Sequence, residues 1–140
     1  MREIEDIRLR LESAGELPEL LEAAWDAFSL MLAVCQQCEG QSAELFAASA
    51  FAASAAATGR RMLAVAPSLP PGQGNGTGNE AIVRHDLDEI GDGLAGLAHL
   101  LSVRLSAAVD QAADPGDRQV CQDAAAEAAR ISELLARERR

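Results

Sequence analysis

Apolar residues recur every three or four positions through most of this chain, and that spacing is typical of α-helices buried along one face. The pattern continues without a break from Leu17 to Cys38. Four other segments show the same pattern, and Gly or Pro residues separate them. β-branched and aromatic residues, which strands favour, are few. We therefore predict an all-α fold with helices at residues 1–14, 17–39, 42–66, 80–113 and 115–139.

The lengths of the connections predict how these helices pack. Only a few residues separate the second helix from the third and the fourth from the fifth, so each pair forms an antiparallel hairpin. The segment 67–79, PSLPPGQGNGTGN, is rich in Pro and Gly and is predicted to be a flexible linker. We expect a single domain, 1–140, folded as an antiparallel four-helix bundle of two helical hairpins with a short extra N-terminal helix. An up-down-up-down order is favoured, but a linker that extends to about 40 Å permits other orders.

The third predicted helix is unusual because it has no charged residue from Leu45 to Gly59. A helix on a protein surface normally carries charged residues on the side that faces water. We therefore expect most of this helix to be covered. The covering element is either a second copy of the chain in a homodimer, another protein partner, or the short N-terminal helix folded over it. The predicted interface consists of Trp25, Ala47, Ala50, Phe51, Ser54 and Ala57.

The chain is strongly acidic, and its charge limits the partners that it can bind. The formal net charge is −10, and all 12 basic residues are arginine. DNA, RNA and anionic membranes attract basic surfaces, so this charge argues against them as partners. The N-terminal segment lacks the apolar run of a signal peptide, and the longest uncharged run is too short to span a membrane. We expect an acidic, cytoplasmic protein.

Side chains on which enzymes commonly depend are scarce. The sequence has no Lys and no Tyr, and its two histidines, His85 and His99, are predicted to lie on outward helix faces. GxSxG and Glu-x-x-His are both absent, which argues against a serine nucleophile and a di-iron centre. The Gly-rich segment lacks the spacing of a phosphate-binding loop. The sequence therefore predicts a protein that is not an enzyme and has no cofactor.

The three cysteines are the remaining candidates for chemistry. Cys35 and Cys38 form a CxxC pair, and in an up-down-up-down bundle Cys121 would lie at the same end. Three converging thiolates would suit a soft metal ion such as Cu(I) or Zn(II). The simpler interpretation is that each cysteine is a small core residue, because all three continue the apolar stripes of their helices.

Taken together, these patterns favour a non-enzymatic interaction or regulatory protein that self-associates through residues 45–59. The alternative is a soft-metal-binding or thiol-redox bundle that uses the three cysteines. A small-ligand pocket near Gly91, Gly93 and Gly96 is a third hypothesis, although the sequence offers no polar side chains to orient a ligand there.

Overall fold

The computed structural model describes residues 2–39, 43–67 and 87–137, and every regular element in these ranges is an α-helix. The all-α prediction and the existence of five helices are confirmed. Helix α4 continues without interruption past Gly93 and Gly96, and residues 80–86, at the start of the predicted fourth helix, lie outside the described ranges. The helices are α1 (Arg2–Ser13), α2 (Leu17–Glu39), α3 (Ala43–Ala64), α4 (Leu87–Gln111) and α5 (Pro115–Arg137).

The turn between α4 and α5 shows how local sequence sets the helix ends. Pro115 is the first residue of α5, where its missing N–H leaves no hydrogen bond unmade. The Oδ1 atom of Asp114 accepts a 2.7 Å hydrogen bond from the backbone N–H of Gly116. The Nε atom of Arg118 donates to the carbonyl oxygen of Ala112 at 3.0 Å, beyond the end of α4. These contacts satisfy backbone groups that two helix ends leave free.

Four helices, α2 to α5, pack in a ring in which each has two principal neighbours. Helix α2 packs against α3 and α4, and α5 packs against the same two helices. Helices α3 and α5 are antiparallel, because Phe51 in the first half of α3 lies beside Leu134 near the end of α5. Their other ends also meet, since a Cβ atom added to Gly116 would lie 3.2 Å from Cγ of Pro67.

Helix α1 lies in the groove between α2 and α4 and buries its apolar stripe there. It runs parallel to α4, because Ile4 lies against Gly93 and the carbonyl of Leu11 accepts a hydrogen bond from Arg104. The chain reverses after Gly15, and Arg10 forms a 2.6 Å ion pair with Asp26 of α2. Helix α2 is therefore antiparallel to α4.

This arrangement differs from the up-down-up-down order that the sequence favoured. That order places α2 beside α5 and makes α3 parallel to α5, whereas these contacts place α3 beside α5 with opposite direction. The short turns fix direction only within each hairpin, so they do not determine how the two hairpins dock. Pro67 and Leu87 consequently lie at opposite ends of the bundle, which the reach of a long connection allows.

Small residues allow α2 and α3 to pack closely. Ala52, Ala55 and Gly59 of α3 are buried. The ring of Phe28 fills the space beside Gly59, and a Cβ atom there would lie 2.6 Å from it. Helix α2 buries residues around most of its circumference because α1, α3 and α4 all pack on it.

Within the described ranges, no helix has the combination of length and apolar character that crossing a membrane requires.

Candidate interaction surface

Helix α3, which carries no charged residue from Leu45 to Gly59, is covered on its inner side and open on its outer side. Four alanines at positions 52, 53, 55 and 56 are buried, whereas Phe51 and Ser54 are exposed. Ala50 and Ala57 are partly exposed, and the side chain of Ala47 lies outside the described part of the molecule. The bundle therefore covers α3 only in part, and an uncharged strip remains at its surface.

Among the described side chains of the uncharged run, Phe51 is a large apolar residue that remains exposed. Its relative exposure is 58 %, an unusual value for an aromatic ring in the middle of a helix. Arg130, Glu133 and Leu134 of α5 lie beside it, and these four side chains line an open depression of about 310 Å³. We call this set the Phe51 patch. It places an apolar centre between one positive and one negative side chain.

Trp25 belongs to a different part of the surface. It is partly buried against the core, and the guanidinium of Arg60 lies 5.4 Å from the centre of its ring. Arg60 also donates a hydrogen bond to Oγ of Ser29, with 3.4 Å between the heavy atoms. This cation–π contact joins α2 to α3 and covers one face of the indole. Trp25 thus already has a contact partner within the chain.

The alternative in which α1 covers α3 is wrong. Helix α1 packs on α2 and α4, and α3 is the diagonal neighbour of α4 in the ring. The side chains of Ile4, Ile7 and Leu11 are buried in that groove. The outer face of α3 is therefore not covered by any described element of the chain.

The packing does not bring Cys35 and Cys121 together. Phe28 and Gly59 mark one level of the bundle, and Cys35 lies beyond it toward the end of α2. Cys121 lies on the other side of that level, close to the junction of Pro67 and Gly116. From the helical rise, the two residues are about 15 Å apart along the bundle axis. One metal ion cannot bind both, because a Zn–S bond is about 2.3 Å long.

The environment of Cys121 also disfavours thiolate chemistry. Its side chain is fully buried, and burial, followed by the negative charge of Asp117, raises the pKa of the thiol from 9.0 to about 11. The thiolate is the form that binds metals and attacks disulfides. Among the described residues, no three His, Cys, Asp or Glu side chains are grouped so as to hold a metal ion. The side chain of Cys38 lies outside the described part.

A second depression, of about 300 Å³, lies between α1 and α4 beside the glycines that the sequence indicated. Ile4 and Leu97 form its floor, and the exposed ion pair between Glu5 and Arg8 lies at its rim. No polar side chain that lines it is buried. A pocket for a small ligand normally has a few fixed polar groups that orient the ligand. This groove lacks them.

No protein-family model matches this chain, and comparison with curated proteins and with solved structures finds no match either.

The sequence-based interface prediction included Phe51 but none of the α5 residues that lie beside it. Arg130, Glu133 and Leu134 occupy an ordinary amphipathic helix, and nothing in their spacing distinguishes them. They lie beside Phe51 only because α3 packs against α5, a contact that the up-down-up-down order excludes. The correct helix order was the missing information.

Proposed function

We propose that this protein is a non-enzymatic interaction or regulatory protein that self-associates through the uncharged face of α3. The observation that carries the proposal is the exposure of Phe51 at the middle of a run with no charged side chain. Burying a Phe side chain is worth about 1.5–3 kcal/mol relative to leaving it in water. A second copy that covers this face would bury two such rings.

The position of α1 supports the proposal. The apolar stripe of α1, which could have covered α3 within the chain, is buried in the groove between α2 and α4. The residues of the strip that remain open are small or apolar, so a neighbouring helix can approach closely. Self-association is preferred to a different protein partner because closed two-fold dimers are the commonest protein assemblies.

The test is the oligomeric state of the purified chain, measured by sedimentation equilibrium between about 1 and 100 µM, the range in which a dimer of micromolar affinity dissociates. We expect a dimer. The substitutions Ala50→Glu and Ala57→Arg introduce charges into the contact, and we expect each to raise the dissociation constant about tenfold or more.

Ala107→Glu is the matched control, since Ala107 is an exposed alanine on α4, which does not border the outer face of α3. It should leave the dissociation constant unchanged. Circular dichroism should show the same helix content in all four proteins. A wild-type chain that stays monomeric at the highest concentration would contradict the proposal.

The soft-metal or thiol-redox alternative gains no support from the described geometry. The distance between Cys35 and Cys121 and the raised pKa of the Cys121 thiol both argue against it.

A further inference from the structure

The Phe51 patch contains two opposite charges that have no ion-pair partner within the described part of the chain. Arg130 and Glu133 are three residues apart on α5, and both are exposed. The ion pairs of Arg8 with Glu5 and of Arg10 with Asp26 involve neither of them. A partner that covers Phe51 would bring its own charges close to these two side chains. The patch therefore favours a partner whose surface has both an apolar centre and charges that complement Arg130 and Glu133.

The uncharged run of α3 is centred on the same place. It extends from Leu45 to Gly59, so its midpoint is Ala52, next to Phe51. When two copies of α3 meet in antiparallel orientation at this point, uncharged residues face uncharged residues along the whole contact. The nearest charged residues, Glu44 and Arg60, then lie at its ends. Phe51 is thus near the centre of symmetry of a self-complementary pattern.

We propose that the Phe51 patch is occupied by the same patch of a second copy, related by a two-fold axis that crosses α3 and α5 at right angles beside Phe51. This inference rests on the proposed self-association and specifies its geometry. The axis reverses the order of residues along both helices, so Phe51 faces Phe51 and Arg130 faces Glu133 of the second copy. Each dimer then contains two Arg130–Glu133 pairs.

The charges distinguish this axis from the other simple choice. A two-fold axis parallel to the helices and beside Phe51 keeps residues at the same level, but it places the two copies of α5 on opposite sides of the paired α3 helices, so Arg130 and Glu133 would meet no opposite charge of the second copy. Like charges placed opposite each other at an interface are unfavourable, and opposite charges fix the register. The pattern on α5 therefore favours the antiparallel contact.

A charge-reversal series tests the proposed geometry. The single substitutions Arg130→Glu and Glu133→Arg each place like charges opposite one another twice per dimer, so we expect each to raise the dissociation constant about tenfold. The double variant, with both substitutions, exchanges the two charges and should return the constant to within about threefold of the wild-type value. Asp110→Arg, a charge reversal at an exposed position of α4, is the matched control and should have no effect.

The outcomes separate this inference from the function on which it rests. If Ala50→Glu dissociates the wild-type dimer but neither single charge reversal weakens it, the proposed axis is overturned and the self-association stands. Weakening by both single variants without recovery in the double variant would also overturn the Arg130–Glu133 pairing. A monomeric wild-type chain would overturn both proposals. Because Arg130 and Glu133 are exposed, the variants should fold, and circular dichroism verifies this.

Discussion

At the scale of single residues, the contact between Gly59 and Phe28 sets how closely α3 approaches α2. The ring is fully buried and lies where a side chain at position 59 would have to be. Gly normally weakens a helix by about 1 kcal/mol relative to Ala, so its place in α3 needs a compensating reason. The reason is that Gly allows α3 to pack closely against the ring of Phe28, whereas a residue with a Cβ atom would collide with it.

We predict that Gly59→Ala destabilises the protein by about 1–3 kcal/mol, because the added methyl group forces a buried ring to move. Gly96→Ala is the matched control. An added Cβ atom at Gly96 meets nothing within 4 Å, so this change should stabilise the protein by about 0.5–1 kcal/mol through helix propensity. Urea unfolding measures both values. Equal effects of the two substitutions would show that the Phe28 contact is not tight.

At the scale of helices, α1 is attached to the bundle by a small number of defined contacts. Its apolar stripe fills the groove between α2 and α4, and Arg104 holds its C-terminal end. The Nε atom of Arg104 donates to the carbonyl of Leu11 at 2.9 Å, and Nη2 donates to the carbonyl of Ala14 at 2.8 Å. A guanidinium suits this position because the last carbonyls of a helix are free and carry partial negative charge.

We predict that Arg104→Met loosens α1 while the other helices stay folded. The change removes two charge-assisted hydrogen bonds, and such bonds contribute about 1.5–3 kcal/mol each. Hydrogen exchange followed by mass spectrometry should show at least about tenfold faster exchange in residues 2–13, with protection of α5 unchanged.

Arg8→Met is the control for this experiment, since Arg8 is on the same helix and its ion pair with Glu5 is exposed. Exposed pairs contribute little, so exchange in α1 should stay near the wild-type rate. Unchanged exchange in the Arg104→Met variant would show that the guanidinium does not hold the helix.

Helix existence was readable from the sequence, whereas helix docking was not. The spacing of apolar residues and the positions of Gly and Pro predicted the five helices that the structure shows. The docking of α1 depends on Arg104, a residue 90 positions from Ala14, and no local pattern links the two. The same limit applies to Phe51 and its neighbours on α5.

At the scale of the whole molecule, the order of the helices decides which surfaces exist. Antiparallel α3 and α5 place Pro67 beside Gly116, and this juxtaposition is absent if the two helices are parallel. The same antiparallel arrangement separates Cys35 from Cys121 along the bundle axis. Local hairpin turns give no information on this order, so the sequence left it open.

We predict that cysteines introduced by Pro67→Cys and Gly116→Cys form a disulfide in a background in which Cys35, Cys38 and Cys121 are replaced by Ala. Cγ of Pro67 lies 3.2 Å from the Cβ position of residue 116, and disulfides join Cβ atoms about 4 Å apart. Non-reducing electrophoresis measures the yield. Pro67→Cys with Ala136→Cys is the control, because residue 136 lies at the far end of α5 and should stay reduced. A disulfide between residues 67 and 136, with none between residues 67 and 116, would indicate that α3 and α5 are parallel.

The net charge acts at the same scale. Two copies of a chain with a charge of −10 repel each other, and this repulsion opposes every contact between them. A contact face whose few charges cancel keeps the added repulsion small at the point of closest approach.

The separation of Pro67 from Leu87 has a consequence for how the chain reaches its native state. Contacts within each hairpin join residues that are close in sequence, whereas those between α3 and α5 join distant ones. Local contacts form quickly, and distant ones wait for loop closure. The entropy of closing a loop grows only slowly with its length. We therefore expect two early hairpins and a later docking step, whose speed depends weakly on how many residues connect α3 to α4.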